Sequence, residues 1–121
     1  MKFHVLYYTD ENGKCDIDDF LNSLKMKNRA KAIAWIDKLE EKGNQLHRPY
    51  SDYLRDGIYE LRLTLSSNNI RILYFFIHRS SIILSHAFSK QTRKVPEKEI
   101  DKTLKRKKKY LRRIRRKNEK T

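Results

Sequence analysis

A chain of 121 residues with 38% hydrophobic content and a formal charge of +14 has room for one domain with a modest core. Its charge favours an acidic partner. One cysteine excludes an internal disulfide and suits a reducing compartment, and no run reaches the roughly 18 apolar residues of a membrane span. The N-terminus lacks a basic-then-apolar signal pattern, so a cytoplasmic protein with no membrane partner is expected.

Phe3-His4-Val5-Leu6-Tyr7-Tyr8 is aromatic and branched and stops at Thr9-Asp10-Glu11-Asn12-Gly13, which reads as a strand and a turn. Cys15, next to Gly13-Lys14, reads as an exposed spectator thiol. Asp16 is placed to cap a short helix whose apolar face is Ile17, Phe20, Leu21 and Leu24. A second helix is predicted from about Lys27 to Lys42, with Ala32, Ile33, Trp35, Ile36 and Leu39 inward and Gly43 as its stop. Trp35 is read as a core anchor in preference to a stacking platform. Asn44–Asp56, with Pro49 and two aromatic residues, reads as a loop.

Three strands follow. Ile58–Leu65 alternates, with Tyr59, Leu61, Leu63 and Leu65 on one face and Ile58, Glu60, Arg62 and Thr64 on the other. Ser66-Ser67-Asn68-Asn69 is the expected hairpin turn, because Asn tolerates positive φ. Ile70–Ile77 and Ile82–Phe88 are apolar on both faces, as buried central strands are. Pro96 opens a last helix with Glu97 and Glu99 in its first turn and a sparse seam of Ile100, Leu104, Leu111 and Ile114. The predicted order is βααβββα, an α+β fold with an antiparallel curved sheet packed on helices. It is expected as a single domain over residues 1–121 with a basic helix or tail from about residue 96.

That tail holds the charge. Residues 90–121 carry 16 of the 29 Lys and Arg but 4 of the 15 Asp and Glu. Such a field attracts polyanions and speeds encounter with them. Arg93, Lys94, Lys105, Arg106, Lys108, Lys109, Arg112 and Arg113 are therefore candidate binding residues for a polyanion such as RNA. A solvated helix face with a frayed tail is the plainer alternative, and the run alone does not name the acid.

Ile58-Tyr59-Glu60-Leu61-Arg62, then Arg71-Ile72-Leu73-Tyr74-Phe75, then His86-Ala87-Phe88-Ser89-Lys90-Gln91-Thr92-Arg93-Lys94-Val95-Pro96 resemble the RelE/ParE toxin superfamily. The likeness is nearest to its HigB-like, phage-derived branch and covers roughly residues 3–111. The resemblance implies a small sheet whose open face cuts messenger RNA in the ribosomal decoding site. It also implies a co-encoded antitoxin, commonly a helix-turn-helix protein. By this likeness Arg62, Arg71 and Lys90 look like phosphate-contacting cations, with Arg93 near them, and His86 stands where the branch tends to have histidine. Val95 departs from the branch's capping Thr, and Glu60 and Thr64 stand on a strand where active members carry lysines.

Elementary chemistry asks whether these residues suffice to cut RNA through the 2′-hydroxyl. Arg62 and Arg71 can stabilise charge on the phosphate through paired donors, and Lys90 can do the same or carry a proton. His86 and Glu60 are the conventional acid–base candidates. The plainer readings are a satisfied core histidine and a surface partner of a neighbouring Arg. Scattered histidines and a single cysteine offer no metal site, and three glycines give no phosphate-cradling loop, so neither metal nor cofactor is expected. Two further functions stay open: a ParE-like inhibitor of DNA gyrase, and a non-enzymatic basic module that binds nucleic acid.

Overall fold

Alternation in one segment and near-continuous apolar sequence in two others put three long strands at the centre of a sheet. The computed structural model describes residues 2–119, so the extreme ends of the predicted domain lie outside the described residues. The elements are β1 (His4–Tyr7), α1 (Asp16–Ser23), α2 (Met26–Lys42), a 3₁₀ turn (Gly43–Gln45), β2 (Ser51–Arg55), β3 (Ile58–Leu65), β4 (Asn68–Ile77), β5 (Ser81–Ser89) and α3 (Glu97–Glu119). The strand order is β1-β5-β4-β3-β2. The fold is α+β, as expected, with helices packed on a sheet that is antiparallel except where β1 runs parallel to β5.

The two faces of the sheet have different covers. Leu61, Leu63, Leu65, Ile72, Tyr74 and Leu84 meet Ile17 and Leu21 of α1 and Ala32, Ile36 and Leu39 of α2. On the other face Ile58, Leu73, Phe75 and Ile83 meet Ile100 of α3, with Leu104, Tyr110 and Ile114 packed at the margin. Each fully buried aliphatic contributes roughly 2 kcal/mol. No helix among the described residues is long and apolar enough to cross a membrane.

Several local expectations are corrected. The segment read as a loop contains β2, a short polar edge strand without apolar alternation. It joins β3 through Asp56 and Gly57, both at positive φ (52° and 79°), the backbone of a tight two-residue hairpin turn. The β3–β4 turn is made by Ser66 and Ser67 at φ 49° and 64°, while Asn68 and Asn69 are already strand. Cys15 is buried in the core and sits at the start of α1, so Asp16 is helical and does not cap. In α3 it is Tyr110 that packs on Phe75, with ring centroids 6.3 Å apart, while Leu111 is exposed. Gly43 is required sterically, since a Cβ there would lie 2.0 Å from the Phe3 ring.

β5 carries a bulge. Leu73 pairs with His86 and Tyr74 with Leu84, leaving Ser85 without a partner residue. The extra residue puts Leu84 and His86 on opposite faces, against the simple alternation read from the sequence. Arg106 reaches the bulge, donating to the Ser85 carbonyl at 2.7 Å and to Asp16 Oδ2 at 2.6 Å. The guanidiniums of Arg106 and Arg113 lie over the ring of Tyr8, 4.8 and 4.9 Å from its centre. Arg55 ties β2 to the start of α3 through Glu97 at 2.6 Å and Asp101 at 2.9 Å. A helix with a sparse apolar seam is thus held by cation–π and ionic anchors.

Under α3, His86 is 3% exposed. One ring nitrogen lies 2.9 Å from Ser85 Oγ and the other 3.0 Å from Glu99 Oε1, an arrangement that suits neutral imidazole donating from Nε2 to the carboxylate. Burial lowers its pKa, Lys102 and Arg106 add to that, and Glu99 opposes it. The unfolded chain therefore binds more protons near and below the ordinary value of 6.5, so stability is full above that pH and falls as pH drops through it. Urea midpoints measured between about pH 7.5 and about pH 5 should fall for the wild type and fall less for His86→Gln. Equal slopes would show that His86 is not held neutral.

Candidate nucleic-acid interface

The register of the sheet lines up charged side chains on the α3 side. Asp52, Glu60, Leu73 and His86 are successive partners across β2, β3, β4 and β5, and the next row is Arg62, Arg71 and Phe88. The apolar end of this face lies beneath α3. The end bearing Arg62 and Arg71 is open.

Arg62 and Arg71 face each other directly across β3 and β4, where like charges repel. Glu60 separates them. Its carboxylate, 4% exposed, has Oε1 2.7 Å from Arg71 Nε and Oε2 3.5 Å from Arg62 Nη2. The short approach to Arg71 is an ion pair without hydrogen-bond alignment, so Glu60 Oε1, Arg62 Nε and Arg71 Nε are buried without an aligned partner. Asp52 accepts from Arg62 at 3.3 Å and from Arg48 at 2.9 Å. Its carboxyl is held below the usual range, chiefly by Arg48. The cluster carries three guanidiniums against two carboxylates.

Beside this cluster a cavity of about 280 Å³ is lined by Glu60, Arg62, Lys90, Arg93 and Lys94 among others. Lys90 is fixed where β5 ends, its backbone N–H bonded to the Asn69 carbonyl at 2.8 Å. Lys90, Arg93 and Lys94 form no ion pair among the described residues. The remaining carboxylate on this wall, Glu97, is engaged by Arg55. Arg62 also lines a second cavity, of about 370 Å³, together with Arg71. The structure therefore brings Arg62 together with Arg71 and with Lys90, Arg93 and Lys94. It does not bring His86 to them, because α3 closes over that residue.

The tail cations divide into two groups. Arg106 and Arg113 are structural: Arg106 is committed to Ser85 and Asp16, and Arg113 donates to the Thr9 carbonyl at 2.6 Å and the Tyr8 hydroxyl at 3.1 Å. Lys105, Lys108, Lys109 and Arg112 are exposed. With Lys98, Lys102 and Arg116, the outward positions Lys105, Lys109 and Arg112 follow 4-3-4-3-4 spacing. That makes one cationic stripe on the helix, about 27 Å long at 1.5 Å per residue. Sequence reasoning does not find Asp52 or Arg48, because β2 is too polar to read as a strand and Arg48 lies in the turn before it. The Asp56-Gly57 turn was the signal that could have found them.

The cluster makes a stability prediction. Glu60→Leu strips the counter-charge from Arg71, whose side chain is 12% exposed, and should cost about 3 kcal/mol. Glu60→Leu with Arg71→Leu should recover most of that loss, because a well-packed apolar pair replaces an ion pair at little cost. Urea unfolding of both variants checks this. A double variant as unstable as the single one would show that the two groups do not act as a unit.

Comparison with known proteins gives this surface a context. Residues 19–108 match the profile of the family described as phage-derived protein Gp49-like (DUF891), from within α1 to the middle of α3 and including every strand but β1. No curated protein matches the chain at a significant level. With well over half its length inside the family profile, the chain belongs to the Gp49-like family of phage-derived proteins, a RelE/HigB-like group associated with the toxins of toxin–antitoxin systems.

Proposed function

We propose that the protein is a toxin that cuts messenger RNA on the open half of its sheet, on substrate presented by the ribosome, and that a co-encoded antitoxin covers this surface. The observation that carries the reading is the opposed pair Arg62 and Arg71, held in place by a buried Glu60, beside three uncommitted cations in one cavity. Attack by a 2′-oxygen, its proton passing to solvent, forms a bond to phosphorus as the bond to the 5′-oxygen breaks, and it concentrates negative charge on the phosphate oxygens and then on the leaving 5′-oxygen. Fixed guanidiniums stabilise the first without reorganising, and the Lys90 ammonium can protonate the second. His86 sits apart, with both nitrogens engaged. The site is rich in charge and poor in proton-transfer groups, which suits an enzyme whose substrate is aligned by a larger machine. An antitoxin that silences it needs acidic side chains to match these cations.

The test is cleavage of messenger RNA on purified ribosomes. Arg62→Ala and Lys90→Ala should each slow cutting on the order of a hundredfold while circular dichroism and the thermal midpoint show a folded chain. Products should end in 2′,3′-cyclic or 3′-phosphate. A folded double variant that still arrests growth as the wild type does would overturn the assignment. Arrest accompanied by DNA-damage signalling and continued translation would point to gyrase.

The exposed stripe on α3 supplies non-specific affinity for the same polyanion. Each phosphate left without its cation lowers the salt dependence by about 0.7 on single strands. Lys105→Ala, Lys109→Ala and Arg112→Ala combined should weaken RNA binding at low salt and flatten its slope against log salt. An unchanged slope would make the stripe solvated surface or an antitoxin-docking face.

A further inference from the structure

Apart from Arg62 and Arg71, the second cavity has no part in the chemistry above. It opens where β2 begins and the edge of β3 continues uncovered, and it is lined by Trp35, Tyr50, Arg62, Thr64, Asn69 and Arg71. Its volume of about 370 Å³ falls in the range of small-ligand sites. The Trp35 and Tyr50 rings pack with centroids 4.9 Å apart at 31°. Tyr50 is 44% exposed and belongs to neither core cluster. Its carbonyl accepts from the Arg62 N–H at 2.8 Å, so the aromatic residue is fixed beside the cation. Thr64 and Asn69 are register partners on the Arg62 side of the hairpin, and both are exposed. Glu60 holds both guanidiniums at its wall, 2.7 Å from Arg71 Nε and 3.5 Å from Arg62 Nη2.

An exposed aromatic ring, exposed polar side chains and two guanidiniums, gathered in one concave site, match a nucleotide in parts: base face, base edge and phosphate. We infer that this cavity is a nucleobase subsite for single-stranded RNA. The base lies against Tyr50 with Trp35 behind it, and Thr64 and Asn69 meet its polar edge. The adjoining phosphate is held by Arg62 and Arg71. Because Arg62 borders both cavities, the strand runs from the Lys90 side across Arg62 to Tyr50. The inference rests on the RNA-cutting reading and adds to it a pocket for one base beside the scissile phosphate.

Trp35 is the only tryptophan in the chain, so its fluorescence reports on this cavity. The full chain is titrated with a short 2′-O-methyl oligoribonucleotide, which cannot be cut through the 2′-oxygen, and with an abasic oligomer of equal charge. Saturable quenching by the first and none by the second is expected. Tyr50→Ala should weaken binding about tenfold, and Tyr50→Phe should restore most of it, with a urea midpoint confirming that each variant is folded. Equal quenching by the abasic oligomer, or unchanged affinity in Tyr50→Ala, would overturn the subsite. The two readings fail separately. Base-dependent quenching in a chain that cuts no RNA would retain the subsite and remove the nuclease. Cutting that ignores Tyr50→Ala would do the reverse.

Discussion

Two arginines directly opposed on neighbouring strands are an unfavourable arrangement, and the open half of this sheet is built around relieving it. Arg62 and Arg71 are register partners, and their repulsion is offset by Glu60, set on the same face one row toward the core. A carboxylate that buried is tolerable only while both guanidiniums stay close. The three groups therefore fix one another. The arginines cannot turn away to solvent without stranding Glu60, so their direction is set in the free protein.

The network extends outward along the same logic. Asp52 stands opposite Glu60 on β2 and takes the far side of Arg62, and Arg48 in turn takes Asp52. β2 therefore carries the carboxylate that orients Arg62, although it buries little apolar surface. On the opposite flank, α3 has to stop short of this row, and its anchors see to that. Arg55 pins Glu97 and Asp101 at the helix start, and Arg106 and Arg113 hold the later turns to Tyr8. A strongly cationic helix thereby spends part of its charge on docking, Lys102 to Asp16 included, and turns the rest of one stripe to solvent.

How much of this was legible in the sequence depended on whether local pattern or long-range pairing decided it. The alternation in Ile58–Leu65 placed Glu60 and Arg62 on one face correctly, since a strand's two-residue period is a local property. The helices were legible for the same reason: α2 buries Ala32, Ile36 and Leu39 as its spacing predicts, although Ile33, expected inward, is 39% exposed and Trp35 only half-buried. What escaped was set by partners far along the chain. β2 is polar and is a strand because β3 pairs with it. The Ser85 bulge exists in the register with β4, and no residue type announces it, so the face of His86 could not be read from alternation. Cys15 is buried by the way α1 packs, although its neighbours are turn residues. Arg106 and Arg113 are like any other cation of the tail in sequence; what sets them apart is Tyr8, about a hundred positions earlier, whose ring both overlie.

The commitment of charge also bears on how such a site handles its ligand. A bare cluster of guanidiniums would bind any anion and would repel itself in the free protein. With Glu60 and Asp52 in place, an arriving phosphate must compete with carboxylates that are already seated, and a single weakly held anion gains little from that exchange. A strand that also reaches Lys90, Arg93 and Lys94 on one side of Arg62 meets cations that involve no such competition. Selectivity for an extended polyanion over small anions then follows from the partition itself. On the function proposed above, the paired arginines would supply fixed direction at the reacting phosphate, and the cations around them the affinity that brings the strand there.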